Sequence, residues 1–152
     1  MVTDEHWRNV IDVNLNGTFW CCRAFGRHML AAKRGSIVNV GSMSGFIVNR
    51  PQGQISYNAS KAGVHHLTKS LAAEWADRGV RVNAVAPTYI NTPLNEFVKS
   101  NPAMYDAWIG GTPMARMGTV DEIASVVHFL ASDAASLMTG SVVVVDGGYT
   151  CW

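Results

Sequence analysis

The segment from Ser42 to Lys61 restricts the possible folds of this chain most, because it connects a buried strand to a helix through a polar loop. The preceding residues, Ser36–Gly41, are rich in β-branched side chains and predict a buried strand that stops at the Ser42 hydroxyl. The segment ends in Tyr57-Asn-Ala-Ser-Lys61, and positions i and i+4 of a helix share one face. A serine hydroxyl, a phenol and an ammonium in this order form a constellation suited to proton transfer.

The pairing of Tyr57 with Lys61 has a chemical reason. A free phenol has a pKa of about 10, which is too high for a base near neutral pH. An opposite charge within roughly 4–6 Å lowers the pKa of such a group, and Lys61 supplies that charge from one helical turn away. Ser42 would then hydrogen-bond the substrate oxygen while Tyr57 gives or takes its proton. The alternative is an ordinary surface pair on an amphipathic helix, because Y-x-x-x-K alone is a common pattern.

Five motifs in order make the chain resemble the short-chain dehydrogenase/reductase family. They are VNLNGTF with Asn14, SIVNVGSMSG with Ser42, YNASKAG with Tyr57 and Lys61, RVNAVAPTYINTP from Arg81, and TGSVVVVDGGY from Thr139. The resemblance implies an oxidoreductase that uses NAD or NADP, with NAD slightly favoured, and acts on a small alcohol or ketone. The polar loop SMSGFIVNRPQ is similar to that of members that oxidise sugar alcohols and small diols.

The resemblance also implies a fold and a set of roles. The fold is α/β, the second half of a doubly wound (Rossmann-like) parallel sheet, with about three strands and flanking helices. Tyr57 is the general acid/base, Ser42 orients the substrate oxygen, and Lys61 also binds the cofactor ribose. Asn14 anchors a water in a proton relay from Lys61; without the resemblance, a core asparagine satisfied by backbone is the favoured interpretation. The implied catalytic residues are Asn14, Ser42, Tyr57 and Lys61, and the implied cofactor contacts are Tyr57, Lys61, Pro87, Ile90 and Thr92.

Polar loop positions add candidates for the substrate side. Ser44 and Asn49 could reach a hydroxylated substrate beside Ser42 and Tyr57, although plain loop residues need no function. Thr92 before Pro93 also fits an ordinary helix start, with proline at the first helical position. The position after Pro87 is commonly glycine in the family and is Thr88 here, where a positive φ would be strained.

Periodicity and capping signals predict the remaining elements. The segment Leu94–Gly111 is expected to form a mobile flap, with Met104 and Trp108 as an apolar wall or as core. The predicted elements are a helix over Asp4–Lys33, a strand over Ser36–Gly41, a helix over Ser56–Arg78, strands over Val80–Pro87 and Ser141–Val145, and a helix after a capping box at Thr119.

Length and composition limit the classes of protein. A chain of 152 residues predicts a single domain over 1–152, and a net charge of +1 gives no electrostatic case for nucleic acid or acidic membranes. No apolar run reaches the roughly 18 residues of a membrane helix. Three cysteines, two of them adjacent, favour a reducing cytoplasm over a disulfide framework, and no metal motif occurs. Apolar faces on the two long helices, with the resemblance, predict a homo-oligomer, either a tetramer or a dimer.

One family signature does not occur in the chain. The glycine-rich fingerprint T-G-x-x-x-G-x-G, which binds the nucleotide, is found nowhere in it. We therefore expect a catalytic half, either part of a larger product or a natural remnant. The alternative function is a truncated non-catalytic module for oligomerisation or interaction. A Ser/Lys hydrolase is a distant third, since no S-x-x-K surrounds Lys61.

Overall fold

The computed structural model describes residues 1–151, apart from the side chain of Lys99, and its centre is a parallel sheet of three strands. The middle strand is fully buried over most of its length, which suits a run of small and β-branched side chains with apolar layers on both faces. Within residues 1–151 each outer strand pairs with the middle strand alone. The strands, in spatial order, are β1 (Gly35–Val40), β2 (Val80–Pro87) and β3 (Val142–Val145).

The helices cover both faces of the sheet and extend beyond its carboxyl edge. Short 3-10 turns also occur at Met43–Gly45, Ala76–Arg78, Pro93–Asn95 and Asp133–Ala135. The α-helices are α1 (Asp4–Ile11), α2 (Gly17–Ala32), α3 (Ile55–Trp75), α4 (Glu96–Lys99), α5 (Pro102–Gly110) and α6 (Val120–Ala131).

Two apolar clusters hold the layers together. On one face of the sheet, Cys22 of α2 and Leu71 of α3 pack against the β2 residues Val80 and Val82. On the other face, Leu130 of α6 packs with Val85 of β2 and with the 3-10 turn at Ala135. Helices on both faces of a parallel sheet confirm the predicted α/β class and its three strands.

The prediction of one continuous helix over Asp4–Lys33 was wrong. A π-helical turn, Asp12–Asn16, separates α1 from α2 and contains Asn14. Lys33 ends α2 in a left-handed conformation, with φ 53°, and is not part of the helix. A π turn keeps nearly the same apolar periodicity as an α-helix, so the pattern of the sequence does not reveal it, and such turns frequently lie at functional sites.

Other boundaries differ from the predictions by one to three residues. The strand predicted over Ser36–Gly41 begins one residue earlier, at Gly35, and α3 ends at Trp75, before the 3-10 turn that contains Arg78. The predicted capping box of α6 is present: the Thr119 hydroxyl accepts from the Glu122 amide, and the Glu122 carboxylate accepts from the Thr119 amide.

Parallel strands bring their carboxyl ends to one edge of the sheet, and the loops that carry the predicted site residues start there. Ser42 follows β1, Thr88 follows β2, and Asp146 follows β3. Within the described part of the chain, none of the helices has the length and apolar character that a membrane crossing requires. The same residues bring no three potential metal ligands together, and the cysteines are free thiols.

Candidate active site

A cleft of about 780 Å³ lies beyond the carboxyl edge of the sheet and collects several predicted residues. Ser42 and Ser44 line it from the β1 loop, Tyr57 from the first turn of α3, and Met104 and Trp108 from α5. Its wall is therefore mixed, with hydroxyl and amide groups beside aromatic and aliphatic side chains. The other lining residues are Met43, Gln52, Gln54, Thr88, Tyr89, Leu94, Asn95 and Phe97.

Tyr57 and Lys61 lie one turn apart on α3, as the spacing predicts. The Lys61 ammonium nitrogen is 5.6 Å from the centroid of the Tyr57 ring. It donates a hydrogen bond of 2.9 Å to the carbonyl oxygen of Val40, the last residue of β1. Burial lowers the pKa of Lys61. This hydrogen bond holds the ammonium at the end of β1, near the Tyr57 ring.

Ser42 is held in an extended conformation just after β1, with φ −168° and ψ 152°. Its side-chain oxygen accepts a 3.1 Å hydrogen bond from the Ser44 amide, and residues 1–151 offer no acceptor for its own hydroxyl hydrogen. Only 7% of the residue is exposed, yet it lines the cleft. The Ser42 hydroxyl is therefore oriented by the backbone while its hydrogen stays available to a bound oxygen atom.

Asn14 reaches the Tyr57 turn of α3 through a serine that the sequence reasoning missed. The Asn14 side-chain amide donates to Ser60 Oγ at 3.1 Å, and Ser60 Oγ donates to the Tyr57 carbonyl at 2.7 Å. Thr18 Oγ1 donates to the Asn14 carbonyl at 2.7 Å, which satisfies an acceptor within the widened π turn. Ser60 lies within the Y-x-x-x-K motif and is fully buried, so a polar residue on the inner helix face is the signal that could have identified it.

Gln54 organises the polar loop at the floor of the cleft. Its amide nitrogen lies within hydrogen-bond distance of Ser44 Oγ (3.1 Å), Asn49 Oδ1 (2.8 Å) and Asn58 Oδ1 (2.9 Å). Ser44 lines the cleft directly, whereas Asn49 lies behind the lining and is 3% exposed. The Asn49 amide nitrogen donates to the Tyr89 hydroxyl at 2.9 Å. Of the two predicted loop residues, Ser44 therefore faces the cleft and Asn49 supports it.

Tyr89 and Trp108 form an aromatic wall that the sequence indicated only in part. Their rings stack with centroids 3.7 Å apart and planes 5° apart. Gln52 joins them, because its amide nitrogen donates to the Tyr89 hydroxyl at 3.2 Å and its oxygen accepts from Trp108 Nε1 at 3.1 Å. Burial raises the pKa of Tyr89 to about 12, so this phenol stays neutral near neutral pH. Its place two residues beyond the end of β2 was the available signal.

The predicted cofactor contacts lie together on the segment after β2. Pro87 ends the strand, Ile90 bridges to Gly118, and Thr92 precedes a 3-10 turn with Pro93 at its first position. The Thr92 side chain makes no capping hydrogen bond. Thr88 has no positive φ, so the expected strain is absent, and its buried hydroxyl finds no partner within residues 1–151. The Thr88 hydroxyl and the Thr92 side chain are therefore polar groups that a bound ligand could engage.

Comparison with known proteins gives consistent matches over nearly the whole chain. A family model described as enoyl-(acyl carrier protein) reductase matches residues 1–150. Galactitol 2-dehydrogenase of Rhizobium johnstonii is 65% identical over 151 residues, which are 99% of this chain and 59% of that protein. The crystal structure of gox2181 superposes with a TM-score of 0.98 at 64% identity, over 99% of this chain and 59% of that one.

A third match was crystallised with bound ligands. It is a gluconate 5-dehydrogenase from Burkholderia cenocepacia in complex with NADP and tartrate, with a TM-score of 0.94 and 36% identity, covering 99% of this chain and 58% of that one. The chain therefore spans less than two thirds of the length of the proteins that it matches. The matched region contains the whole of the cleft described above.

Proposed function

Because the chain belongs to the short-chain dehydrogenase/reductase family, we propose that it provides the catalytic half of an oxidoreductase. The reaction moves a hydride between a secondary alcohol and NAD or NADP. The observation that carries the proposal is that Ser42 and Tyr57 line one cleft at the carboxyl edge of the sheet, with the Lys61 ammonium 5.6 Å from the centroid of the Tyr57 ring. The similarity to galactitol 2-dehydrogenase supports a sugar alcohol as the substrate.

The chain's own residues would handle the proton of the reaction. In alcohol oxidation, the Tyr57 oxygen accepts the hydroxyl proton, and in ketone reduction it returns that proton to the carbonyl oxygen. Ser42 donates its free hydroxyl hydrogen to the same substrate oxygen. The Lys61 ammonium, fixed by the Val40 carbonyl, stabilises the negative charge on the Tyr57 oxygen while the proton is absent. A nicotinamide nucleotide, when bound, supplies or accepts the hydride.

Asn14 would act at a distance from the reacting atoms. Its amide fixes Ser60, and Ser60 in turn fixes the Tyr57 carbonyl, so the first turn of α3 is tied to the π turn. We propose that this connection sets the position of the Tyr57 ring and the entry of the proton relay at Lys61. Pro87, Ile90 and Thr92 would bind the nicotinamide end of the cofactor; the choice between NAD and NADP stays open.

The lining of the cleft supports a substrate with several hydroxyl groups. Ser44 and Gln54 present a hydroxyl and an amide beside Ser42, and Asn49 holds that amide in place from behind. Trp108 and Met104 supply apolar surface against which the carbon skeleton can lie. A mixture of directed polar groups and apolar surface is the usual composition of a small-molecule site. A linear polyol, with alternating hydroxyl and C–H groups, matches it.

Assembly into a homo-oligomer also stays a proposal. Phe19, Trp20 and Phe25 of α2 are exposed although they are large and apolar. Apolar surface of this kind is typical of interfaces. It supports a dimer or tetramer of the oxidoreductase, and it is also what the alternative function, a non-catalytic interaction module, would require.

The test is polyol oxidation by the full-length gene product with NAD and with NADP, before and after Tyr57→Phe. We expect the substitution to lower kcat by roughly 10²–10⁴-fold, the usual contribution of a general acid/base. Tyr105→Phe is the matched control, because Tyr105 is a partly exposed tyrosine of α5 that does not line the cleft. Retention of most activity in Tyr57→Phe would contradict the assignment, and no oxidation with either cofactor would favour the interaction module.

A further inference from the structure

The buried imidazole of His65 lies directly behind Ser42. His65 follows Lys61 by one turn of α3 and is 5% exposed, whereas its neighbour His66 is exposed. A Cβ added to Gly41 would lie 2.4 Å from His65 Nε2, and one added to Gly45 would lie 2.5 Å from His65 Cε1. The ring therefore fills the space between the two glycines that flank the serine loop, and both positions require glycine for the ring to fit.

The hydrogen bond between the loop and this ring defines the protonation state of His65. The Ser42 backbone N–H donates to His65 Nε2 at 3.3 Å, so Nε2 must carry a lone pair. A neutral imidazole then carries its hydrogen on Nδ1, which is buried without a partner within residues 1–151. An imidazolium would set two N–H groups against each other at the Ser42 contact. The geometry thus selects one neutral tautomer.

The surroundings of the ring also favour its neutral form. Burial lowers the pKa of His65, and the charges of Lys61 and Lys69 on its own helix lower it further. The loop packs the uncharged Phe46 ring 4.4 Å away, and β2 presents the Val85 carbonyl next to Gly41. No group that would stabilise an imidazolium contributes among the described residues.

We propose that His65 is a positioning residue for the catalytic serine: its neutral ring accepts the Ser42 N–H and holds the extended backbone that aims the Ser42 hydroxyl into the cleft. Protonation of His65 removes this acceptor and releases the loop. The catalytic consequence rests on the proposed function, whereas the contact itself does not. Acid would therefore lower kcat through the orientation of Ser42.

The lowered pKa of His65 also determines how the stability of the folded chain changes with pH. The pKa of His65 in the folded chain lies below its ordinary value, so the unfolded chain binds a proton first as the pH falls. The stabilisation that His65 contributes is complete above the unfolded pKa of about 6.5 and is lost as the pH falls through the folded pKa. Folding stability should therefore decline on mild acidification.

The contact can be tested without any activity assay. In the ¹⁵N-labelled full-length protein, long-range ¹H–¹⁵N spectra report which ring nitrogen of His65 carries the hydrogen. We expect hydrogen on Nδ1, and a Ser42 amide shift that follows the titration of His65. A His65 ring with hydrogen on Nε2, or a Ser42 amide that is insensitive to that titration, would overturn the proposal even if polyol oxidation is observed.

The catalytic effect is tested with two substitutions. His65→Gln offers an amide oxygen at a similar position and does not titrate, so it should keep kcat near that of the parent and remove the acid-side fall. His65→Leu offers no acceptor and should lower kcat by about three- to tenfold, the size of one ordinary hydrogen bond, with little change in KM. His66→Gln, on the exposed neighbour, should leave the pH profile unchanged.

Two outcomes decide against the positioning role. If His65→Gln keeps the acid-side fall of the parent, His65 does not cause it. If His65→Leu has the parent kcat, the contact does not orient Ser42. Should His65→Leu fail to fold, the pH profile of His65→Gln decides alone. If no polyol is oxidised by the parent protein, the proposed function fails while the spectra still test the contact.

Discussion

The two walls of the cleft are built in different ways. The loop wall, Gly41–Gly45, is buried at Ser42, Met43 and Ser44, and backbone, imidazole and amide groups hold it through hydrogen bonds. The helical wall, Pro93–Gly110, exposes 82% of Leu94 and 56% of Phe97. Trp108 connects this wall to neighbouring segments, because it donates a hydrogen bond to Gln52 and stacks on Tyr89.

The difference separates two requirements of catalysis. A group that orients a reacting atom must be positioned to within fractions of an ångström. This precision requires several independent contacts. A wall that admits substrate must open, and segments that open are those with few buried contacts. The exposure of Leu94 and Phe97 on the helical wall supports this division.

The largest expected effect comes from Trp108→Ala. Removal of a buried large aromatic side chain lowers the free energy of unfolding by about 3–5 kcal/mol when that side chain belongs to the cooperative core of the fold. If the helical wall opens by itself, hydrogen exchange should accelerate in α5 and leave the Ser42–Gly45 amides protected, and the KM for polyol should rise. Trp20→Ala removes an exposed indole of α2 and is the control. Equal loss of protection in both walls would show that they form one cooperative unit.

A single carbon atom added to the loop wall should lower the stability of the fold. In Gly45→Ala the new Cβ would meet the His65 ring and, at 2.9 Å, the backbone of Lys61. We expect a loss of about 1–3 kcal/mol in the free energy of unfolding, the usual cost of overpacking. Gly53→Ala is the matched control in the same loop region, since nothing lies within 4 Å of its Cβ position. Denaturant titrations measure both, and an equal effect of the two substitutions would contradict the tight fit.

The helical wall should accept the same change at Gly110. This residue ends α5, has no positive φ, and has nothing within 4 Å of its Cβ position. Gly110→Ala should raise the free energy of unfolding by about 0.4–1 kcal/mol, because alanine reduces the freedom of the unfolded chain. Denaturant titration under the conditions used for Gly45→Ala gives the direct comparison. A loss of stability at Gly110 would show that this wall is packed more tightly than its exposure suggests.

Local rules predicted the parts of the fold that depend on neighbouring residues. The three strands, the capping box at Thr119 and the shared face of Tyr57 and Lys61 follow from periodicity and spacing, and the structure contains all of them. The residues Met104 and Trp108 were predicted to form an apolar wall or to belong to the core, and both line the cleft. The roles of the site residues stay predictions.

The rest depended on contacts between residues far apart in sequence. Asn49 meets Tyr89 across 40 positions, and Trp108 reaches Gln52 across 56 positions; no local pattern encodes such partners. A role for His65 was not predicted, because its hydrogen-bond partner is a backbone N–H in another part of the chain. Sequence patterns predict which side chains face the interior of the fold. They do not identify the polar groups that those side chains contact.

The π turn at Asp12–Asn16 makes the length of the first helical segment a constraint in its own right. Asn14 meets Ser60 and Leu15 meets Gly63, so two successive residues both contact α3. A π turn holds one residue more than the α-helical winding around it, so deleting one residue would restore regular winding and leave α1 facing α3 as before. The deletion should cost one of the two contacts with α3 rather than the placement of α1, most of which is exposed to solvent.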